Sequence, residues 1–127
     1  MSDKKNLGKK GEDLAVEYLS RKQYHVLYRN WKFGRKEVDI IAVKTNGIKI
    51  NQGRHNEILH FIEVKTRKNN RNGFPEENVN QAKIKSMLAV AEQFIQFYPS
   101  WNRVQFDVLA ITLEPKINYF FIEDIYL

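Results

Sequence analysis

Three charged residues stand where charge is costly. Asp39 lies in the middle of the apolar run Glu37–Lys44 (EVDIIAVK), and Glu63 and Lys65 lie inside Ile58–Arg67 (ILHFIEVKTR). Charged side chains in strand interiors are disfavoured unless they face solvent, pair, or bind metal. Two carboxylates converging from neighbouring strands, with coordination positions left to water, suit Mg²⁺ or Mn²⁺, which also binds phosphate oxygens. An ion held this way activates a water and neutralises the charge of a pentavalent phosphate. Lys65, two residues after Glu63 and so on the same face, can orient that water or stabilise the developing charge. The chemistry would be metal-dependent phosphodiester hydrolysis. The competing reading is a sheet-face ion pair, with Lys65 and a nearby arginine neutralising Asp39 and Glu63.

The elements around these residues follow from periodicity. Roughly residues 8–22 place Leu14, Ala15, Tyr18 and Leu19 at helical spacing, and Glu12 shares the face of Ala15 and Leu19. A carboxylate on an inward stripe is unusual; it either serves the site or pairs with Lys9 or Arg21. Tyr24–Arg29 reads as a strand and Asn30–Lys36 as a loop. Glu37–Lys44 reads as a strand with Val38, Ile40 and Ala42 on one side and Glu37, Asp39, Ile41 and Val43 on the other. Asn46-Gly47 signals a turn, and Ile58–Arg67 is the next strand, with Phe61, Glu63, Lys65 and Arg67 on one side. After a polar loop (68–78) the clearest helix places Ile84, Met87, Leu88, Ala91, Phe94, Ile95 and Tyr98 at 3/4 spacing, capped by Asn78 and ended by Pro99. Strands over Val104–Thr112 and Ile117–Ile125 complete the order α-β-β-β-α-β-β, a central mixed β-sheet flanked by helices. Asp107, in a strand interior without a spacing that reaches the site, reads as structural. Trp31 and Phe33 read as loop anchors.

Composition narrows the setting. A chain of 127 residues has room for one domain, 1–127. No apolar run reaches the roughly 18 residues of a transmembrane helix, and the polar start MSDKKNLGKKGED lacks the centre of a secretory signal. With no cysteine the chain holds neither a disulfide nor a Cys-based zinc site, as expected of a cytoplasmic protein without a membrane role. His25, His55 and His60 have no metal-ligand spacing. The net charge of +6 is uneven: residues 1–85 carry +9 and residues 86–127 carry −3. The basic clusters are Lys4/Lys5/Lys9/Lys10, Arg29/Lys32/Arg35/Lys36 and Lys65/Arg67/Lys68/Arg71. Such a surface attracts polyanions, and Lys9, Lys10, Arg35, Lys36, Arg67, Lys68 and Arg71 are the candidate nucleic-acid contacts.

An aspartate, then Glu-x-Lys, on consecutive strands after a Glu-bearing helix is the signature of PD-(D/E)xK nucleases. The segments GKKGEDLAVEYL, KEVDIIAV, FIEVKTR, VNQAKIKSMLAVAEQFI and QFDVLAI resemble the YraN family of uncharacterised bacterial proteins, from about Gly8 to Ile111. The layout is also similar, more distantly, to archaeal Holliday junction resolvases. Two departures are Lys36 before Glu37, where the family usually has glycine, and a lengthened connection at Lys49–Glu57. The resemblance implies a restriction-endonuclease-like fold, a divalent metal, and structured or branched DNA as substrate. By position it makes Glu12, Asp39, Glu63 and Lys65 catalytic, with Asp39 and Glu63 as metal ligands, and Lys83 a basic residue that opens the second helix and is a further candidate nucleic-acid contact. Cleavage of a junction needs two symmetric cuts, so a homodimer is the expected assembly. The alternative is a nucleic-acid-binding protein that keeps the fold and does no chemistry.

Overall fold

The computed structural model describes residues 3–45, 57–69, 71, 81–101 and 103–125. Helix α1 spans Asp3–Arg21, followed by strands β1 (Tyr24–Phe33), β2 (Lys36–Lys44) and β3 (Leu59–Arg67), helix α2 (Gln81–Phe97), and strands β4 (Val104–Thr112) and β5 (Asn118–Ile122). The expected α/β class and element order hold. The strands form one mixed sheet in the order β1-β2-β3-β4-β5, with β3 and β4 parallel and every other pair antiparallel. The parallel pair follows from α2, since the chain needs a long crossover to return in the same direction.

Each helix covers one face with its own core. On the α1 face Ala15 and Leu19 pack on Ile40, Ala42, Ile62, Leu109 and Ile111. On the α2 face Met87, Val90, Ala91 and Phe94 pack on Val38, Ile41, Val43, Leu59 and Phe61. Gly11 is where α1 comes closest to the sheet: a methyl group there would overlap the Thr66 side chain. Only glycine lets the helix settle at that height.

Several boundaries differ from the sequence-based expectation. The helix α1 begins five residues before residue 8. Residues 30–33, expected in a loop, continue β1 into a tight hairpin whose turn holds Gly34 at φ 62°. The aromatic and basic residues Trp31 to Phe33 gain ladder partners in Val38, Glu37 and Lys36, and that outweighs the turn tendency of Asn30, which is tolerated at φ 54°. The last strand is shorter than expected. Trp31 is an anchor, as expected: it packs edge-on to Phe94, and its Nε1–H donates to Gln93 Oε1 at 2.9 Å. Phe33 is not, being 46 % exposed. The Asn46-Gly47 turn, the Asn78 cap and most of the 68–78 loop lie outside the described residues.

Candidate active site

Strict alternation along β2 places Val38 with Ile40 and Ala42, but Val38 packs in the α2 core with Ile41 and Val43. The side-chain alternation therefore slips by one at Asp39. The β2–β3 ladder ends at the same place. Pairing runs from Val43↔Leu59 to Ile40↔Ile62 and stops, while β3 continues to Arg67 against β4 alone. In the notch where the strands part, the Val64 N–H donates to Asp39 Oδ2 at 2.7 Å. A side-chain carboxylate thus takes the position of a missing backbone acceptor, and this fixes Asp39 beside Glu63.

Glu63 is buried, and its Oε1 accepts from Lys83 Nζ of α2 at 3.0 Å. Glu12 approaches from α1, one residue after the Gly11 contact, with Arg29 Nη2 at 3.8 Å from its Oε1. Arg29 is closer to Asp13, at 2.9 Å. Glu12 therefore has neither of the partners expected from helical spacing; Arg21 pairs with Glu17 instead. Because the sheet opens at the notch, residues from both of its faces act on one point. Burial pushes the Asp39 carboxyl up to about 7; Glu63 adds to the rise, the Val64 N–H partly opposes it, and Glu12 and Glu37 add further. For Lys83, burial works against the ammonium, but the hydrogen bond and charge of Glu63, with Asp39 and Glu37 behind it, win, and its pKa is raised.

The ion pair of Lys65 with the carboxylates, the competing reading of the strand pattern, does not form. Lys65 is half-buried and makes no hydrogen bond or ion pair to a described residue; Lys83, in the first turn of α2, takes Glu63. Nothing in the strand pattern could have shown this, because the contact depends on where α2 docks. The candidate nucleic-acid contacts Lys9, Lys10, Arg35, Lys36, Lys68 and Arg71 are exposed, whereas Arg67 and Lys83 are half-buried and Lys83 is held by Glu63. The hairpin turn with Arg35 and Lys36, the end of β3 with Arg67 and Lys68, and the start of α2 all lie at the end of the sheet where β2 and β3 part.

No group of three or more His, Asp or Glu residues able to enclose a metal is found among the described residues. The donor set is the pair Asp39 and Glu63, and that fits Mg²⁺ or Mn²⁺, which keeps several waters and commonly takes only one or two protein carboxylates. The raised pKa of Asp39, from burial first and the Glu63 charge second, accords with the fit, since a cation would offset both.

A second polar cluster lies elsewhere on the α1 face. His60 Nδ1 and Asp107 Oδ2 are 2.7 Å apart, both residues are buried, and Asp107 Oδ1 accepts from Gln105 Nε2 and the Asp124 N–H. Tyr24 meets the His60 ring edge-on and donates to Glu123; burial and that carboxylate raise the Tyr24 pKa. The cluster ties β3 to β4 and to the segment after β5, consistent with Asp107 as a structural residue. His60 shares the parity of Ile62 and Val64, a signal present in the sequence and overlooked.

An α/β protein with a five-stranded mixed sheet, two helices, and a carboxylate pair where two antiparallel strands separate is the class defined so far. The chain belongs to the uncharacterised protein family UPF0102, whose sequence model matches residues 11–111, as the resemblance to YraN proteins implies. It is similar to a UPF0102 protein of Chloroherpeton thalassium, 39 % identical with 92 % of this chain and 90 % of that protein covered. A UPF0102 protein of Cytophaga hutchinsonii is 40 % identical with 82 % of each covered, and one of Dictyoglomus turgidum 38 % identical with 88 % and 86 % covered. No described helix is long and apolar enough to cross a membrane.

Proposed function

We propose that this chain is a divalent-metal-dependent endonuclease of the restriction-endonuclease-like type, acting on structured or branched DNA in the cytoplasm, in the manner of a Holliday junction resolvase. The observation that carries the reading is Asp39, fixed beside Glu63 by the Val64 N–H, with its pKa pushed up to about 7 by burial and by Glu63. Such a site takes up a dication readily. Mg²⁺ or Mn²⁺ bound there supplies a Lewis acid and an activated water. Asp39 and Glu63 are its ligands. Lys83 holds Glu63 in one orientation and balances its charge, so that Lys65 is left to meet the scissile phosphate or the attacking water. Glu12 adds negative charge that strengthens cation uptake. Lys9, Lys10, Arg35, Lys36, Arg67, Lys68 and Arg71 bind the DNA backbone around this end of the sheet.

The test is cleavage of a labelled four-way junction and of a linear duplex, with Mg²⁺, Mn²⁺ or EDTA. Metal-dependent nicking of the junction is expected, and Asp39→Asn removes it. Binding without cleavage by either metal would favour a nucleic-acid-binding protein that retains the fold alone.

A further inference from the structure

Phe33 ends strand β1 with a half-exposed ring that belongs to neither core, although Trp31, two residues earlier, packs on Phe94. A single exposed ring needs no explanation by itself. Its surroundings are what set it apart. Trp31↔Val38, Lys32↔Glu37 and Phe33↔Lys36 pair in regular register, and cross-strand partners share a face. Trp31 and Val38 mark the α2 side. Phe33 and Lys36 therefore stand there together, with Lys32 and Glu37 on the other side. Gly34 and Arg35 form the two-residue turn between them, and Gly34 at φ 62° supplies the backbone such a turn requires. The ring is thus carried by a tight hairpin with cations around it. Lys32, Arg35 and Lys36 are exposed, and the stretch 32–36 (KFGRK) contains no carboxylate.

Cations select a polyanion, and the ring selects which part of it. Arg35 and Lys36 suit phosphates, whereas a phenyl ring gains nothing from a phosphate and stacks on the face of a base. In continuous duplex both faces of each base are covered by its neighbours, and exposing one costs unstacking. At a branch, flap or gap a base face is already free. One ring is also too little apolar surface to anchor in lipid. Lys36 lies three residues before Asp39, about 10 Å along β2 at about 3.3 Å per residue. That distance is about three nucleotides of stacked strand. We propose that Phe33 stacks on an unpaired base of branched DNA while Arg35 and Lys36 hold the flanking phosphates, so that this ring distinguishes a branch from continuous duplex. The inference rests on the nuclease reading for its substrate, but stacking needs no metal, so the two fail separately.

Fluorescence anisotropy in EDTA tests it, with a continuous duplex and the same duplex interrupted by a short single-stranded gap that contains 2-aminopurine. The wild type is expected to bind the gapped duplex about tenfold tighter, the size of one base–aromatic stack, and to quench the 2-aminopurine. Phe33→Ala should lower affinity for the gapped duplex about tenfold and for the continuous duplex by less than about twofold, while Phe33→Trp keeps the preference. Phe33→Leu retains apolar bulk without an aromatic face, should behave as Phe33→Ala does, and carries the test should Phe33→Ala unfold. A wild type without the preference overturns the proposal, as does a preference that both Phe33→Ala and Phe33→Leu leave intact. Equal weakening on the two DNAs also overturns it, since that is the mark of a ring that only supports the hairpin. So does a wild type that binds neither DNA, and binding of phosphatidylserine vesicles in their place would assign the hairpin to a membrane surface. A preference that depends on Phe33 without Mn²⁺-dependent cleavage overturns the nuclease reading and upholds this one.

Discussion

At Asp39 one carboxylate has two tasks, and they set its response to pH. One oxygen accepts the Val64 N–H and closes the ladder; the other is available to a cation. In the folded chain the group is raised to about 7 by burial and by Glu63, from an unfolded value of 3.8. The folded state therefore holds the proton more tightly, and this stabilisation, complete below pH 4, is lost as pH climbs to about 7. The apo protein should lose melting temperature over that window relative to Asp39→Asn, whose amide does not titrate. Equal pH profiles for the two proteins would show that Asp39 is already ionised throughout. Metal and proton compete for the same oxygen, so Mn²⁺ affinity measured by calorimetry should fall about tenfold per pH unit below 7. Asp39→Asn is also nearly isosteric and removes the repulsion with Glu63. Above pH 7 its metal-free form should be more stable by about 1 kcal/mol. Mn²⁺ at tenfold Kd should raise the wild type by about 1.4 kcal/mol and the mutant by much less. A mutant that melts lower without metal, or gains as much from Mn²⁺, would make Asp39 a member of a structural ion-pair network.

At the scale of elements, the placement of α1 decides whether Glu12 reaches the site. Gly11 to Ala in a helix interior normally stabilises by about 1 kcal/mol through propensity. Here the added methyl overlaps Thr66, and overpacking of this kind costs about 1–3 kcal/mol. The net effect of Gly11→Ala should be destabilising, with Thr66→Ala in the same chain restoring part of the loss, as chemical denaturation would measure. A stabilising Gly11→Ala would mean that α1 rides higher on β3. This contact also marks the limit of what the sequence discloses. The order of elements and the carboxylates of Asp39 and Glu63 were legible, because strand and helix periods differ and charge inside an apolar strand stands out. The slip at Asp39, the parting of β2 from β3, and the partnership of Lys83 rather than Lys65 with Glu63 were not. Each depends on how one element meets another, and residue spacing within an element is silent on that. The extension of β1 through Asn30 is a milder case of tertiary pairing overriding local turn preference.

Over the whole molecule the charges are segregated. Residues 1–85 carry +9, and Arg35, Lys36, Arg67 and Lys68 stand around the notch, while residues 86–127 carry −3. Lys and Arg that neutralise phosphates release condensed counterions, so affinity falls linearly in log–log coordinates with a slope of about −0.9 per phosphate. Engagement of about six phosphates gives a slope near −5. Fluorescence anisotropy of a labelled junction should therefore show binding that weakens by about a thousandfold when salt is raised fourfold. Arg35→Ala and Lys36→Ala together should lower the slope by about two if both touch the backbone, while Lys116→Ala, on the connection between β4 and β5, should leave it unchanged. Metal is excluded from this measurement by EDTA, so the slope reports the basic end alone and is independent of cleavage. A slope near zero would make these side chains ordinary solvated surface and would place the DNA, if any is bound, elsewhere on the molecule. A steep slope that Arg35→Ala and Lys36→Ala leave intact would shift the interface from the β1–β2 hairpin to Lys9, Lys10 and the end of β3.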